Sequence, residues 1–141
     1  MSPNSSIYLF MNILTSFLLL TTCMSRKEIN MEITDRLPSS EPSLRLHCKS
    51  KDNDLGFHTL GLNQVYKWSF NVNFWASTLF WCNFWWDGKY AAFHVFDSKI
   101  WGSMGETDIY SYEVRADGFY FKMLDPKTRT LVWRHVNNWG N

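Results

Sequence analysis

No Asp, Glu, Lys or Arg occurs in the first 25 residues, and charge begins abruptly at Arg26-Lys27-Glu28. This uncharged start contains the apolar run Ile7 to Leu20 and then small residues at Cys23 and Ser25, so residues 1–25 read as a secretory signal peptide cleaved after Ser25. The alternative is an uncleaved anchor. Against it, the run is broken by Asn12 and falls short of the roughly 20 apolar residues that a membrane-spanning helix needs. No later stretch could span a bilayer either, so no stable membrane insertion is expected. All 14 basic and all 13 acidic residues therefore lie in residues 26–141, leaving that part close to neutral. A nucleic-acid-binding face would show as a basic excess, and none is present.

Catalytic signatures are also missing. There is no nucleophile elbow, no phosphate-cradling glycine loop and no evident carboxylate pair. The histidines are His47, His58, His94 and His135, and none has another at the two- or four-residue spacing of many zinc sites. His47 and Cys48 are neighbours, so on a strand they face opposite ways. Asp52 and Asp54 have the spacing that opens a calcium loop, but the glycine and closing glutamate of such a loop are not at their offsets. No cofactor, metal or enzymatic activity is expected. No segment sustains a helical period, and there is no internal repeat.

What is abundant is aromatic side chain: 18% of residues, with all 8 Trp beyond the leader. Rings that each bury ~150–250 Å² can build a sizeable core even in one small domain. Residues 26–42 are polar, mixed in charge and end in a proline-flanked stretch, which predicts a flexible N-terminal arm. From Ser43 the pattern changes to period two. Leu44, Leu46 and Cys48 alternate with Arg45, His47 and Lys49. Trp68, Phe70 and Val72 alternate with Lys67, Ser69 and Asn71, and Phe80, Cys82, Phe84 and Trp86 with Leu79, Trp81, Asn83 and Trp85. Asp87-Gly88 and Asp117-Gly118 signal hairpin turns. The spacing predicts an all-β domain over 43–141, an antiparallel β-sandwich or flattened barrel of seven to eight strands.

Cys48 and Cys82 are the two cysteines outside the leader. In the secretory route an even pair reads as one disulfide, with two buried free thiols as the alternative. Each shares a face with apolar neighbours, so both sulfurs should point into the core.

Several motifs together resemble those of the plant self-incompatibility proteins and their S-protein homologues. These are Leu46-His47-Cys48-Lys49-Ser50-Lys51-Asp52-Asn53-Asp54-Leu55-Gly56, then Tyr66-Lys67-Trp68-Ser69-Phe70, then Thr78-Leu79-Phe80-Trp81-Cys82-Asn83-Phe84, and finally Tyr112 to Tyr120 with its Asp-Gly. The resemblance implies a small, secreted, β-rich and non-enzymatic ligand for a cell-surface protein receptor. Many relatives carry two further cysteines just before the aromatic that Tyr112 matches. This chain has Thr107 and Tyr110 there, which leaves Cys48 and Cys82 to pair with each other.

Two functions are carried forward. The first is a monomeric secreted ligand that binds a cell-surface partner through loops. The first such loop offers Lys51, Asp52, Asn53 and Asp54, and the loop from Asp97 to Asp108 offers Lys99, Ile100, Trp101, Met104 and Glu106. The second is a carbohydrate or cell-wall binding module using exposed aromatics, for which coplanar exposed rings among Trp75, Trp81, Trp85 and Trp101 would be the sign.

Overall fold

Period-two alternation dictates strands that are apolar on one side, and such strands bury that side by stacking two sheets face to face. The computed structural model, which describes residues 4–22, 27–72, 77–100 and 107–140, has this architecture. A leading helix α1 (Ser5–Thr22) is followed by β1 (Lys27–Asp35), β2 (Leu44–Lys49), β3 (Asp54–Leu60), β4 (Val65–Val72), β5 (Leu79–Trp86), β6 (Lys89–Asp97), β7 (Ile109–Arg115), β8 (Gly118–Leu124) and β9 (Leu131–Asn137). One sheet has the order β4-β1-β7-β8-β9 and the other β3-β2-β5-β6. The fold is thus the expected sandwich, with nine described strands rather than seven or eight.

The ninth strand corrects the reading of the N-terminal segment. Residues 27–35 are not a flexible arm. They form β1 in the interior of the five-stranded sheet, antiparallel to β4 and parallel to β7. Ile29, Met31 and Ile33 are fully buried, while Glu28, Asn30 and Glu32 alternate with them toward solvent. The folded domain therefore begins at β1 and not at Ser43.

The core lies between the sheets and is largely aromatic. Phe84 packs against Phe93 and Phe119 with centroids 5.4 and 4.8 Å apart, and Phe96 meets Tyr110 edge-on at 5.2 Å. Tyr110, at a position where many relatives are expected to have cysteine, is completely buried. Cys48 and Cys82 are disulfide-bonded. They sit directly opposite each other on the paired strands β2 and β5, so the bond staples neighbours within one sheet.

Both expected hairpins form. Asp87 and Gly88 join β5 to β6 with φ of +47° and +71°, as a type I′ turn requires. In the second hairpin the two-residue connection is Ala116-Asp117, and Gly118 is already in β8 opposite Arg115. Gly118 is required for a different reason: its φ is +144°, and a Cβ there would lie 2.5 Å from His135 Nε2 and 2.6 Å from the Asn137 carbonyl oxygen.

Helix α1 presents Ile7, Phe10 and Phe17 to solvent. Among the described residues no helix is long and apolar enough to cross a membrane.

Candidate recognition surface

The nominated loop residues that are described, Lys51 to Asp54, Lys99 and Ile100, fall at one end of the four-stranded sheet. Lys49 pairs with Trp81 and Leu79 with Asp97, so the β2–β3 turn and the segment after β6 leave the sheet on the same side. The first is a tight turn: Ser50 N donates to the Asn53 carbonyl at 2.8 Å and Asn53 N to Ser50 Oγ at 3.1 Å. Lys51, Asp52 and Asn53 are exposed on it. Asp54 belongs to β3 instead, where it hydrogen-bonds His47 Nε2 and accepts from Gly56 N at 2.9 Å. The His47 bond foremost holds the Asp54 carboxyl below the usual carboxylate range.

The segment after β6 starts with a turn in which Asp97 accepts from the backbone N–H groups of Lys99 and Ile100. Ser98 and Thr78 bond each other reciprocally, at 2.9 Å and 2.8 Å, which pins this turn to the start of β5. Ile100 is 51% exposed. Trp101, Met104 and Glu106 lie outside the described residues, as does Trp75. A cleft of about 340 Å³ opens at this end, between the β2–β3 turn and the residues leading into β5, with Phe70 and Phe80 in its wall.

A second surface carries Trp81 and Trp85, two of the rings weighed from sequence for carbohydrate binding, together with residues that the sequence reading did not join to them. On the outer face of β3-β2-β5-β6 the register aligns Thr59, Arg45, Trp85 and Tyr90 in one row across the strands, and Phe57, His47, Asn83 and Ala92 in the next. A third row sets Lys49, Trp81 and His94 side by side. The Arg45 guanidinium lies 4.3 Å from the Phe57 ring centre and 5.8 Å from that of Trp85. Lys49 Nζ is 5.6 Å from the Trp81 ring. Phe57 is 56% and Tyr90 42% exposed, while Trp81 and Trp85 are half-buried. The rings are not coplanar: Phe57 is tilted 38° and Tyr90 43° from Trp85. They form a cupped surface and not a flat platform. An open trough of about 470 Å³ runs beside Arg45, Trp85 and Tyr90 to the Asp87-Gly88 turn. Alternation places Trp81 and Trp85 outward at the sequence level. Their union with Arg45 and Lys49 depends on which strand pairs with which, and no local signal carries that.

Among the described residues no group of three His, Cys, Asp or Glu side chains could hold a metal ion.

These features define a small β-sandwich stapled by one disulfide. Its residues 30–139 match the model of the plant self-incompatibility protein S1 family, and the chain belongs to that family. It is 40% identical over 93 residues to S-protein homolog 5 of Arabidopsis thaliana, covering 66% of this chain and 70% of that protein. It is 30% identical over 122 residues to S-protein homolog 21 of the same plant, covering 84% and 88%. Among solved structures, a self-incompatibility protein homologue superposes with a TM-score of 0.59 at 20% identity, covering 84% of this chain and all of that one. That homologue is described as one of a widespread family of small, highly stable, secreted plant proteins.

Proposed function

We propose that the chain is a secreted, non-enzymatic, monomeric ligand that binds a cell-surface protein through the loops at one end of its sandwich. The observation that carries this reading is family membership over residues 30–139, which spans all of the sandwich apart from the first residues of β1. The uncharged leader 1–25 fits export, with cleavage after Ser25. The end loops suit recognition because the β2–β3 turn and the turn after β6 emerge side by side, and their exposed Lys51, Asp52, Asn53, Lys99 and Ile100 can vary without disturbing the core. Trp101, Met104 and Glu106 complete the proposed surface in sequence.

The test uses protein recovered from the medium of cells expressing the full chain, titrated onto plant plasma-membrane vesicles. The double variant Ile100→Ala/Trp101→Ala should bind at least tenfold more weakly with its melting temperature within a few degrees of wild type. Unchanged affinity would remove the end loops from recognition. Retention of the chain in the producing cells would overturn the reading of it as secreted.

A further inference from the structure

Arg45 differs from the other arginines that make defined contacts. Arg36 and Arg115 both hold Glu113, and Arg134 holds Asp125. Arg45 is exposed, and among the described residues no carboxylate lies within ion-pair distance of it. Its guanidinium instead lies near the Phe57 and Trp85 rings. With no carboxylate paired to it among the described residues, its N–H donors can meet a ligand carboxylate, which a guanidinium matches in bidentate geometry.

The same arrangement occurs twice. Arg45 lies opposite Trp85, and Lys49 lies opposite Trp81, on the same two strands. The two pairs are four residues apart, so roughly 13 Å separates them along the sheet. A repeated unit of one cation and one aromatic ring fits a ligand that itself repeats an anionic group and an apolar face.

We propose that the outer face of β3-β2-β5-β6 binds an oligosaccharide carrying carboxylate groups, its acid groups held by Arg45 and Lys49 and its sugar rings resting on Trp85, Tyr90 and Trp81. A pyranose ring offers a C–H face to an aromatic ring and hydroxyls around its rim. The trough beside Arg45 supplies both kinds of partner: the rings of Trp85 and Tyr90, whose centres are 5.6 Å apart, and the hydroxyls of Ser43 and Thr59. Tyr90 is fixed in advance, since its hydroxyl donates to Asn83 Oδ1 at 2.7 Å. Less rotamer freedom is then lost on binding.

Charge on this face favours an anion. Asp54 is engaged by His47. Asp87 is the one acid lining the trough, against Arg45 and Lys89. An acidic peptide fits less well. Protein hot spots gather large apolar anchors at the centre of a patch. Here the central row runs Phe57, His47, Asn83 and Ala92, so its middle is polar His47 and Asn83 with Phe57 at the β3 edge, and Trp85, Tyr90 and Trp81 lie in the rows on either side.

The trough at Arg45, Trp85 and Tyr90 lies toward the Asp87-Gly88 turn, at the other end of the strands from the end loops, although Trp81 lines the end cleft as well. Variants at Arg45 or Tyr90 and at Ile100/Trp101 therefore fail independently. Protein from the medium of cells expressing the full chain is titrated, in buffer containing EDTA, with oligogalacturonate, with the same oligosaccharide methyl-esterified, and with polyglutamate. Tryptophan fluorescence and calorimetry report binding. Oligogalacturonate should bind, with the methyl ester and polyglutamate each at least tenfold weaker. Arg45→Ala should lose at least tenfold in affinity with its melting temperature within a few degrees, and Arg45→Lys should fall between the two. Tyr90→Ala, at an exposed ring, should lose severalfold. Absence of binding, equal binding of the methyl ester, or unchanged affinity in Arg45→Ala would overturn the proposal. Equal or tighter binding of polyglutamate would reassign the face to an acidic polypeptide. If Arg45→Ala does not fold, the methyl-ester comparison on the wild-type protein decides.

Discussion

Asp35 takes a carboxyl group into the edge of the core. It has no exposed surface; Oδ1 accepts from Leu37 N at 2.8 Å, and Oδ2 has no hydrogen-bond partner among the described residues. Its backbone ties the end of β1 to the turn before β4, donating to the Gln64 carbonyl at 3.0 Å and accepting from Asn63 N at 2.9 Å. The side chain thus makes one useful bond and leaves one oxygen desolvated, and burial pushes its carboxyl above the usual aspartate range. A carboxyl with a raised folded-state value destabilises the fold where the unfolded chain is ionised, and the penalty fades as pH falls below the unfolded value of about 3.9. Asp35→Asn keeps the acceptor for Leu37 and removes the charge. It should stabilise the protein at pH 7 by about 1 kcal/mol, with the gain disappearing near pH 3. Melting curves of both proteins from pH 3 to 7 test this, and a variant less stable at pH 7 would show that the buried carboxylate is compensated. At this scale the sequence was informative about facing and silent about partners. Alternation placed Trp81 and Trp85 outward, but nothing local to Asp35 foretold its burial.

Among the elements, β1 shows most clearly how composition can mislead. Residues 26–42 are polar enough to suggest an arm, yet Ile29, Met31 and Ile33 alternate strictly with charged and polar residues. A strand with one face in the core and one in solvent is half polar by construction. The polar half has its own partners: Glu32 lies 2.9 Å from Lys67 on β4 and accepts from Ser111 on β7. These bonds hold its carboxyl low, the Lys67 hydrogen bond first. The period was legible. The pairing was not, because a parallel contact between β1 and β7 joins residues about 80 positions apart with no turn to announce it. The hairpin at Asp87-Gly88 is the opposite case, where two residues specify both turn and register. Because β1 lies between two strands, truncating its buried face should be costly. Ile33→Ala should lose about 2–4 kcal/mol, and the amides of Asn30 to Ile33 should exchange as slowly as those of β7. Fast exchange of these amides, with stability unchanged by the substitution, would return the segment to an arm.

At the scale of the whole molecule, the disulfide does more than join two neighbouring strands. Between Cys48 and Cys82 the chain runs through β3, passes to the other sheet as β4, and returns as β5. The bond therefore closes a circuit that includes both layers, and β4 is the edge strand that this circuit presents to β1. The cysteine count and the inward alternation made the bond legible. Its placement in one sheet was not, since both sulfurs facing the core is equally compatible with a bridge across it. Closing a loop of 34 residues constrains the unfolded chain by about 3–4 kcal/mol in the chain-entropy model. That is a large part of the ~5–15 kcal/mol by which a domain is stable. Because the bond lies along an existing pairing of β2 with β5, its loss should leave the native topology intact and act mainly on the unfolded state. Cys48→Ala/Cys82→Ala should thus fold to the same β-sheet circular dichroism spectrum but melt roughly 10–20 °C lower. The melting temperature of wild type in strong reductant should approach that of the double variant. A fall of less than about 3 °C would mean that the aromatic core alone holds the two layers together, and a loss of the folded spectrum would mean that the bond is needed to bring β4 to its sheet.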